Sequence, residues 1–374
     1  MVKIAILRRE PGFSFSMDVY ADGLVRGLKA VCPNWQITEL QPQLNLKGAG
    51  GNAYVNGINK YYQRYWNYPS TVKRHDADLF HVIDHSDGHL VYWLRKTGKP
   101  VVATCHDLIN FYQPGNIEDQ AKLPAISAAV WKYAVRGLRQ ADHVITVSDY
   151  TAKDVTRLLG VPSTHLTTVP NGFDSDFAVL STEAIQSIRQ AYQISPQQFC
   201  ILHVGSNHPR KNILTVLKTL SVLKEQGLPV QLLKAGAAFN SDQQAFIREH
   251  QLAGSIRYLG KPDKATLVQI YNAADVLVSP SLSEGFGITI LEAMACGTPV
   301  ITSNVTSLPE VVGNGGILVD PEDVAAIVQA VCTLLKDSAY RQTLIERGFA
   351  RVKAFSWEKT AEQVAQVYQN LLDI

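Results

Sequence analysis

Short apolar runs rich in Val and Ile recur along this chain, each bounded by polar or turn-forming residues. Residues 2–7, 79–83, 100–104 and 143–147 are four of them. Short runs of this kind suit strands buried inside a sheet. Stretches of helical spacing separate some of them, at residues 19–28, 125–140 and 151–159. Strands alternating with helices predict a parallel α/β domain over residues 1–170. Val169-Pro170-Asn171-Gly172 then breaks the rhythm with turn chemistry. The pattern restarts beyond it. Strands are expected at 199–204, 229–234, 256–259, 276–279, 300–302 and 316–319, and helices at 212–226, 241–250, 266–274, 287–295 and 324–334. That restart favours a second α/β domain, residues 171–350, over one large sheet holding both halves. A last helix is expected within residues 351–374, behind Phe355 and Trp357, and its periodicity does not choose a docking surface.

Composition narrows the classes. Lys and Arg number 35 against 33 Asp and Glu, so the net charge of +2 carries no general signature of nucleic-acid binding. Cys32, Cys105, Cys200, Cys296 and Cys332 are scattered without CxxC spacing, which points to a reducing compartment rather than a disulfide framework. Arg8, Arg9 and Glu10 interrupt the first apolar run, and no run is long enough to span a bilayer, so neither a signal peptide nor a transmembrane segment is expected. The expected location is cytoplasmic, with attachment at the inner face of the membrane left open. Residues 54–68 concentrate Tyr54, Tyr61, Tyr62, Tyr65, Trp66 and Tyr68 around Lys60 and Arg64. These rings read either as the buried side of an amphipathic helix or as a surface for a membrane or a sugar acceptor.

Two loops carry the strongest chemistry. The segment from Pro280 to Ala293 follows an expected strand and opens a helix, a place where backbone N–H groups hold anions. Gly285 and Gly287 permit close approach of a ligand, with Phe286 and Ile288 beside them. Glu284 before the helix and Glu292 within it are suited to accept hydrogen bonds from paired hydroxyls, or serve as a capping and an exposed glutamate. The second loop, Gly205-Ser206-Asn207-His208-Pro209-Arg210-Lys211-Asn212, places Arg210 and Lys211 at another helix start. A fork and a point charge together suit a diphosphate, or else form a solvated pair. Both loops lie in the second domain, where open α/β sheets gather such loops on one edge.

In the first domain Thr104-Cys105-His106-Asp107 follows a strand, and His106 reads as a donor to a substrate hydroxyl, a stabiliser of developing charge, or a structural histidine. His85, Asp87 and Asp107 are acceptor-side candidates. The four-residue spacing of His81, His85 and His89 fails as a helical metal site because residues 79–83 read as a strand, so no metal is expected. GxGxxG after the first strand, GxxxxGK[ST] and GxSxG are all absent, which disfavours hydride transfer, P-loop and nucleophile-elbow chemistry.

The chain resembles the retaining glycosyltransferases of family four, which have the two-domain glycosyltransferase-B fold. Glu284 through Glu292 within Ser-Glu-Gly-Phe-Gly carries the likeness, flanked by Asp275 to Ser281 and by Ala295-Cys296-Gly297-Thr298-Pro299-Val300. Val147-Ser148, Val169-Pro170-Asn171-Gly172 and Pro209-Arg210-Lys211-Asn212 extend it over nearly the whole chain. The resemblance implies two Rossmann-like α/β domains facing a central cleft, with the last helix crossing back to the first. It implies transfer of a sugar from a UDP- or GDP-sugar to a hydroxyl of a glycan or glycolipid precursor, with retention and without metal or cofactor. Glu284 would meet the sugar, Glu292 the ribose, Arg210 and Lys211 the diphosphate, His106 the transferred sugar and Gly260 the base. The chain departs from the family at Ser206, where an Arg is common, at Gly12, where a Gly-Gly loop is common, and at Lys234, which is read as either an added cation or an outward side chain. A noncatalytic nucleotide-sugar sensor is the competing class. Domains closing over the donor and excluding water complete the expected mechanism.

Overall fold

The computed structural model describes residues 1–10, 12, 15–42, 59, 61–111 and 124–374. It divides into two units, Met1–Gly172 with Trp357–Ile374, and Phe173–Ser356.

The first unit is built on a parallel sheet of β1 (Lys3–Leu7), β2 (Gln36–Leu40), β3 (Leu79–Val82), β4 (Val101–Cys105), β5 (His143–Thr146) and β6 (Leu166–Thr168). The order is β2-β1-β3-β4-β5-β6, so the chain reverses its direction of travel between β1 and β3. β3 and β4 are buried along their whole length, as their continuous apolar character demands. β2 and β6 were not expected from the sequence. β2 is an edge strand with Gln36 and Glu39 exposed, and β6 is three residues long without one fully buried side chain. Neither presents an apolar run to read. Helix α1 (Phe15–Val31) returns the chain from β1 to β2.

The aromatic stretch divides between the two readings. Tyr68 is buried, and its hydroxyl donates to the Leu40 carbonyl at 2.7 Å. Tyr61, Tyr62 and Trp66 are exposed. Tyr54 and Lys60 lie outside the described residues.

The second unit has its own parallel sheet of β7 (Phe199–Gly205), β8 (Val230–Gly236), β9 (Ile256–Tyr258), β10 (Val276–Ser279), β11 (Val300–Ser303) and β12 (Gly316–Val319). Its order is β12-β11-β10-β7-β8-β9. The crossovers include α2 (Ile213–Glu225) after β7, α3 (Lys264–Ala273) before β10 and α4 (Ile288–Ala295) after β10. Leu217, Leu220 and Leu223 of α2 pack with Ile201, Leu232 and Val278 of the sheet in one core. Burial of each such side chain contributes about 1.5–3 kcal/mol.

The last helix, α5 (Trp357–Leu372), belongs to the first unit, although the second intervenes in sequence. It lies against α1. A Cβ at Gly23 would stand 2.1 Å from the Trp357 ring, and one at Gly27 would stand 2.5 Å from the Trp357 carbonyl oxygen. Only glycine permits that approach. Tyr368 reaches the sheet, its hydroxyl 2.5 Å from Nδ1 of His81, whose Nε2 meets Thr104.

Candidate functional site

In the second unit the sheet order reverses between β7 and β10, the place where open α/β sheets bind ligands at the carboxyl ends of their strands. Both motif-bearing loops sit there, and backbone and side-chain bonds tie them together. Leu282 donates its N–H to the Arg210 carbonyl at 2.7 Å. Asn212, in a left-handed conformation at the start of α2, donates its side-chain amide to the carbonyls of Pro280 at 3.1 Å and Pro321 at 2.7 Å.

This stitching brings Glu284 between two cations. Arg210 Nη1 lies 2.5 Å from Oε2 and Lys211 Nζ 2.6 Å from Oε1. Burial alone would raise the Glu284 pKa, but Lys211 and Arg210 prevail and hold it at about 2. The backbone is pinned as well. Glu284 N–H donates to Thr306, and the Ser307 hydroxyl is placed on the carbonyls of Glu284 and Phe286 at 2.9 and 3.1 Å. The buried Phe286 ring meets Phe355 edge-on. Gly285 and Gly287 are half-buried, and Ile288 is the first residue of α4.

Glu292, in the second turn of α4, has a different environment. It is buried, and its Oε2 accepts from the phenol of Tyr271 on α3 at 2.8 Å. Burial raises its pKa to about 7, against the opposing pull of the Tyr271 phenol and of Lys211. Two carboxylates eight residues apart therefore differ sharply: one is held ionised by cations, the other is poised near neutrality.

The strands beside this crevice converge tightly. Gly205 and Ser206 leave β7 half-buried. A Cβ at Gly236, the end of β8, would lie 2.0 Å from the Gly205 oxygen, and Gly236 has φ +110°, so no other residue fits there. Gly236 donates its N–H to the Gly260 carbonyl at 2.6 Å, which sets Gly260 on the same edge. Lys234 is not an outward side chain. It is fully buried, and its Nζ donates to the carbonyls of Gly205, Ala235 and Ala237.

The first unit places its candidates around the ends of β3 and β4. His106 is buried, with its Nε2 2.8 Å from the Ile83 carbonyl. A carbonyl only accepts, so Nε2 carries the proton. Burial, then His85, lower the His106 pKa to about 4, so the ring is neutral. The expectation that it donates to a substrate is thereby corrected: its N–H is committed to Ile83, and Nδ1 is left as an acceptor. His85 accepts through Nδ1 from the backbone N–H of His106 at 3.4 Å. Asp87 is clamped by Arg64 at 2.5 and 2.9 Å, and Asp107 accepts from Ile109 N–H at 3.2 Å. Asp84 N-caps the following turn through Ser86 and pairs with Arg9 at 2.6 Å. Gly12, which stands where the family commonly has a Gly-Gly loop, donates its N–H to Asp18 at 2.8 Å. Among the described residues, no three His, Cys, Asp or Glu side chains are grouped to hold a metal ion.

Two family models divide the chain between them. Residues 32–177 match Glycosyltransferase Family 4, and residues 184–351 match glycosyl transferases group 1. The chain belongs to glycosyltransferase family four. Among relatives of this family-four chain, O-antigen chain mannosyltransferase B of Escherichia coli is 37% identical over 63% of this chain and 62% of that protein. The serotype-specific mannosyltransferase WbdA of Escherichia coli is 31% identical over 72% of this chain and 33% of the relative. This chain thus spans less than two thirds of either. Sucrose-phosphate synthase of Thermosynechococcus elongatus shares the fold with a TM-score of 0.78 at 24% identity, covering all of both chains. HepE of Anabaena, solved with UDP and glucose, superposes with a TM-score of 0.76 at 18% identity over 99% of this chain and all of that one. These likenesses give the family-four chain the glycosyltransferase-B fold.

Sequence reasoning missed Tyr271, Asn212 and Ser307. Tyr271 lies on a different helix from Glu292, and nothing in its spacing announces the partnership. Asn212 was read only as part of the loop motif; asparagine is among the non-glycine residues that most often adopt the left-handed region, where it sits with φ of 54°.

Proposed function

We propose that this chain transfers a sugar from a nucleotide diphosphate sugar to a hydroxyl of a glycan or glycolipid precursor, with retention of the anomeric configuration. The observation that carries this reading is the Arg210–Glu284–Lys211 clamp at the sheet's switch point, with Glu292 in the helix that follows. Bound donor would take Arg210 and Lys211 as partners for its diphosphate. Glu284, released from part of that pairing, would accept from hydroxyls of the sugar. Glu292 is assigned the ribose and Gly260 the base. His106 is assigned a hydroxyl of the transferred sugar, through Nδ1. The bond from the anomeric carbon to the diphosphate breaks while the acceptor oxygen bonds to the same face. The acceptor proton passes to the departing phosphate oxygen, and the cations stabilise the nucleoside diphosphate that leaves.

Mannosyl donors lead the list to be tried, because the Escherichia coli relatives are named mannosyltransferases, and UDP-glucose follows from the HepE complexes. A screen of UDP- and GDP-sugars with glycan and lipid-linked acceptors, read as nucleoside diphosphate release, tests the activity. NMR of the product's anomeric centre tests the stereochemistry. Tight donor binding with no turnover across the screen favours the sensor, and an inverted product removes retention.

A glycolipid acceptor would be met at a membrane, and the first unit carries a face suited to one. Trp66 and Tyr133 are exposed, Trp66 packs edge-on against Trp93, and Tyr92 lies against Tyr133. Lys73 and Lys96 lie over the Trp93 ring, and Arg136 and Arg139 are exposed nearby. Interfacial rings with cations suit the headgroup region of an anionic bilayer. Among the described residues, no helix is long and apolar enough to cross one.

A further inference from the structure

Lys234 is a fully buried lysine with no carboxylate partner among the described residues. Its ammonium gives all its described hydrogen bonds to neutral carbonyls, at 2.9 Å to Gly205, 2.8 Å to Ala235 and 3.2 Å to Ala237. Buried charges are costly unless paired, so a cation kept this way needs a compensating anion or serves only as a backbone brace. Its position discriminates between the two. Gly205 stands between Lys234, which holds its carbonyl, and Lys211, whose Cδ would lie 3.4 Å from a Cβ placed there. Across the sheet Lys234 pairs in register with His203 on β7 and Tyr258 on β9. His203 is held neutral, its pKa lowered to about 3 by burial and by Lys234. No anion therefore answers Lys234 from its neighbours in register. Among the described residues Arg210 and Lys211 pair with the carboxylate of Glu284, and Lys234 adds a cation behind Gly205 that has no ion-pair partner, charge that a doubly negative diphosphate would neutralise.

Resting on the diphosphate reading above, we propose that Lys234 is a positioning residue of the donor site: a third cation, fixed behind Gly205, whose charge acts on the diphosphate that Arg210 and Lys211 meet directly. It also holds the loop that carries them. Burial and the charge of Lys211 lower the Lys234 pKa to about 8 in the ligand-free protein. An arriving diphosphate restores the charged form, so binding takes up a proton in that range.

Calorimetry of the full chain with UDP and with GDP, in buffers of different ionisation enthalpy, tests this between about pH 7 and about pH 9.5. We expect proton uptake on binding near pH 8 and affinity falling about tenfold across the window. In Lys234→Met the uptake disappears and diphosphate affinity at neutral pH drops about tenfold, while affinity for the bare nucleoside is unchanged. In Lys211→Met the uptake moves to higher pH, because the charge that depresses Lys234 is gone. A purely structural brace moves none of these protons. Absence of uptake near pH 8 in the wild type, or a folded Lys234→Met variant that behaves as the wild type, overturns the assignment. If Lys234→Met does not fold, the wild-type and Lys211→Met titrations decide alone. Undiminished diphosphate binding by Arg210→Met and Lys211→Met would instead sink the diphosphate reading itself.

Discussion

Glu284 occupies two cations that the proposed donor also needs, so its removal should separate binding from turnover. Glu284→Gln is expected to lower turnover about 100-fold, through lost placement of the sugar. Its affinity for free nucleoside diphosphate should hold or rise, because Arg210 and Lys211 are freed. Calorimetry beside steady-state kinetics reads both, and parallel losses in the two would contradict the arrangement. Glu292 makes a pH prediction of definite sign. Its folded pKa, about 7, lies above the ordinary value of 4.5. The folded state therefore holds a proton that the unfolded chain has lost, and stability falls as pH rises from about 4.5 through about 7. Glu292→Gln should stabilise the ligand-free protein by roughly 2 kcal/mol at pH 8 and by little at pH 4.5, measured by denaturant titration. The same variant should lose the rise in nucleotide affinity that ionisation of Glu292 gives the wild type through pH 7. Tyr271→Phe should share the affinity loss in part, since the phenol that orients the carboxylate is gone. Glu284, Glu292, Arg210 and Lys211 were legible as a pattern of charge in two loops. Their pairing was not, because Arg210 and Glu284 are 74 residues apart and meet only through the sheet order.

At the scale of elements, close backbone approach is the feature most exposed to test. Gly236→Ala would drive a methyl group against the Gly205 oxygen in a conformation that L-residues rarely adopt. A loss of about 3 kcal/mol is expected, with nucleotide binding weakened as the loop shifts, whereas Gly254→Ala, with open space around it, should be silent. Gly23→Leu should push α5 off α1 and lower the melting temperature of the first unit, and Trp357→Ala should reproduce part of that loss. If both melt as the wild type, the close packing of these helices is not what secures α5. The strands of continuous apolar character were readable in advance, as were the helices with an apolar stripe. Helices Thr182–Ala191 and Ser338–Val352 were not. The first has no buried residue and the second only Leu344 and Gly348, so both pack shallowly and add little to the core. Neighbouring elements hold such segments in place more than their own patterns do.

At the scale of the molecule, the exposed aromatic face of the first unit makes a prediction that does not depend on the donor site. The chain should float with vesicles containing anionic lipid and stay down with zwitterionic ones, and rising salt should release it. Trp66→Ala with Lys96→Glu should abolish flotation without altering donor binding. Flotation that is absent, or indifferent to lipid charge, would reject this face as a membrane surface. The sequence by itself determined the class of fold, because buried parallel strands must be continuous and apolar. It also determined the location of the chemistry, since Gly, Glu, Arg and Lys cluster where strands end. Tertiary structure alone decided the rest. Sheet order placed the loops after β7 and β10 side by side, and folding carried α5 back across the second unit's sequence to α1. Burial set the protonation of Glu292, His106 and Lys234, which no local pattern encodes. Spacing along a chain records which residues are neighbours in one element. Which charges face each other, and how much water remains between them, depends on surfaces that exist only once those elements have packed.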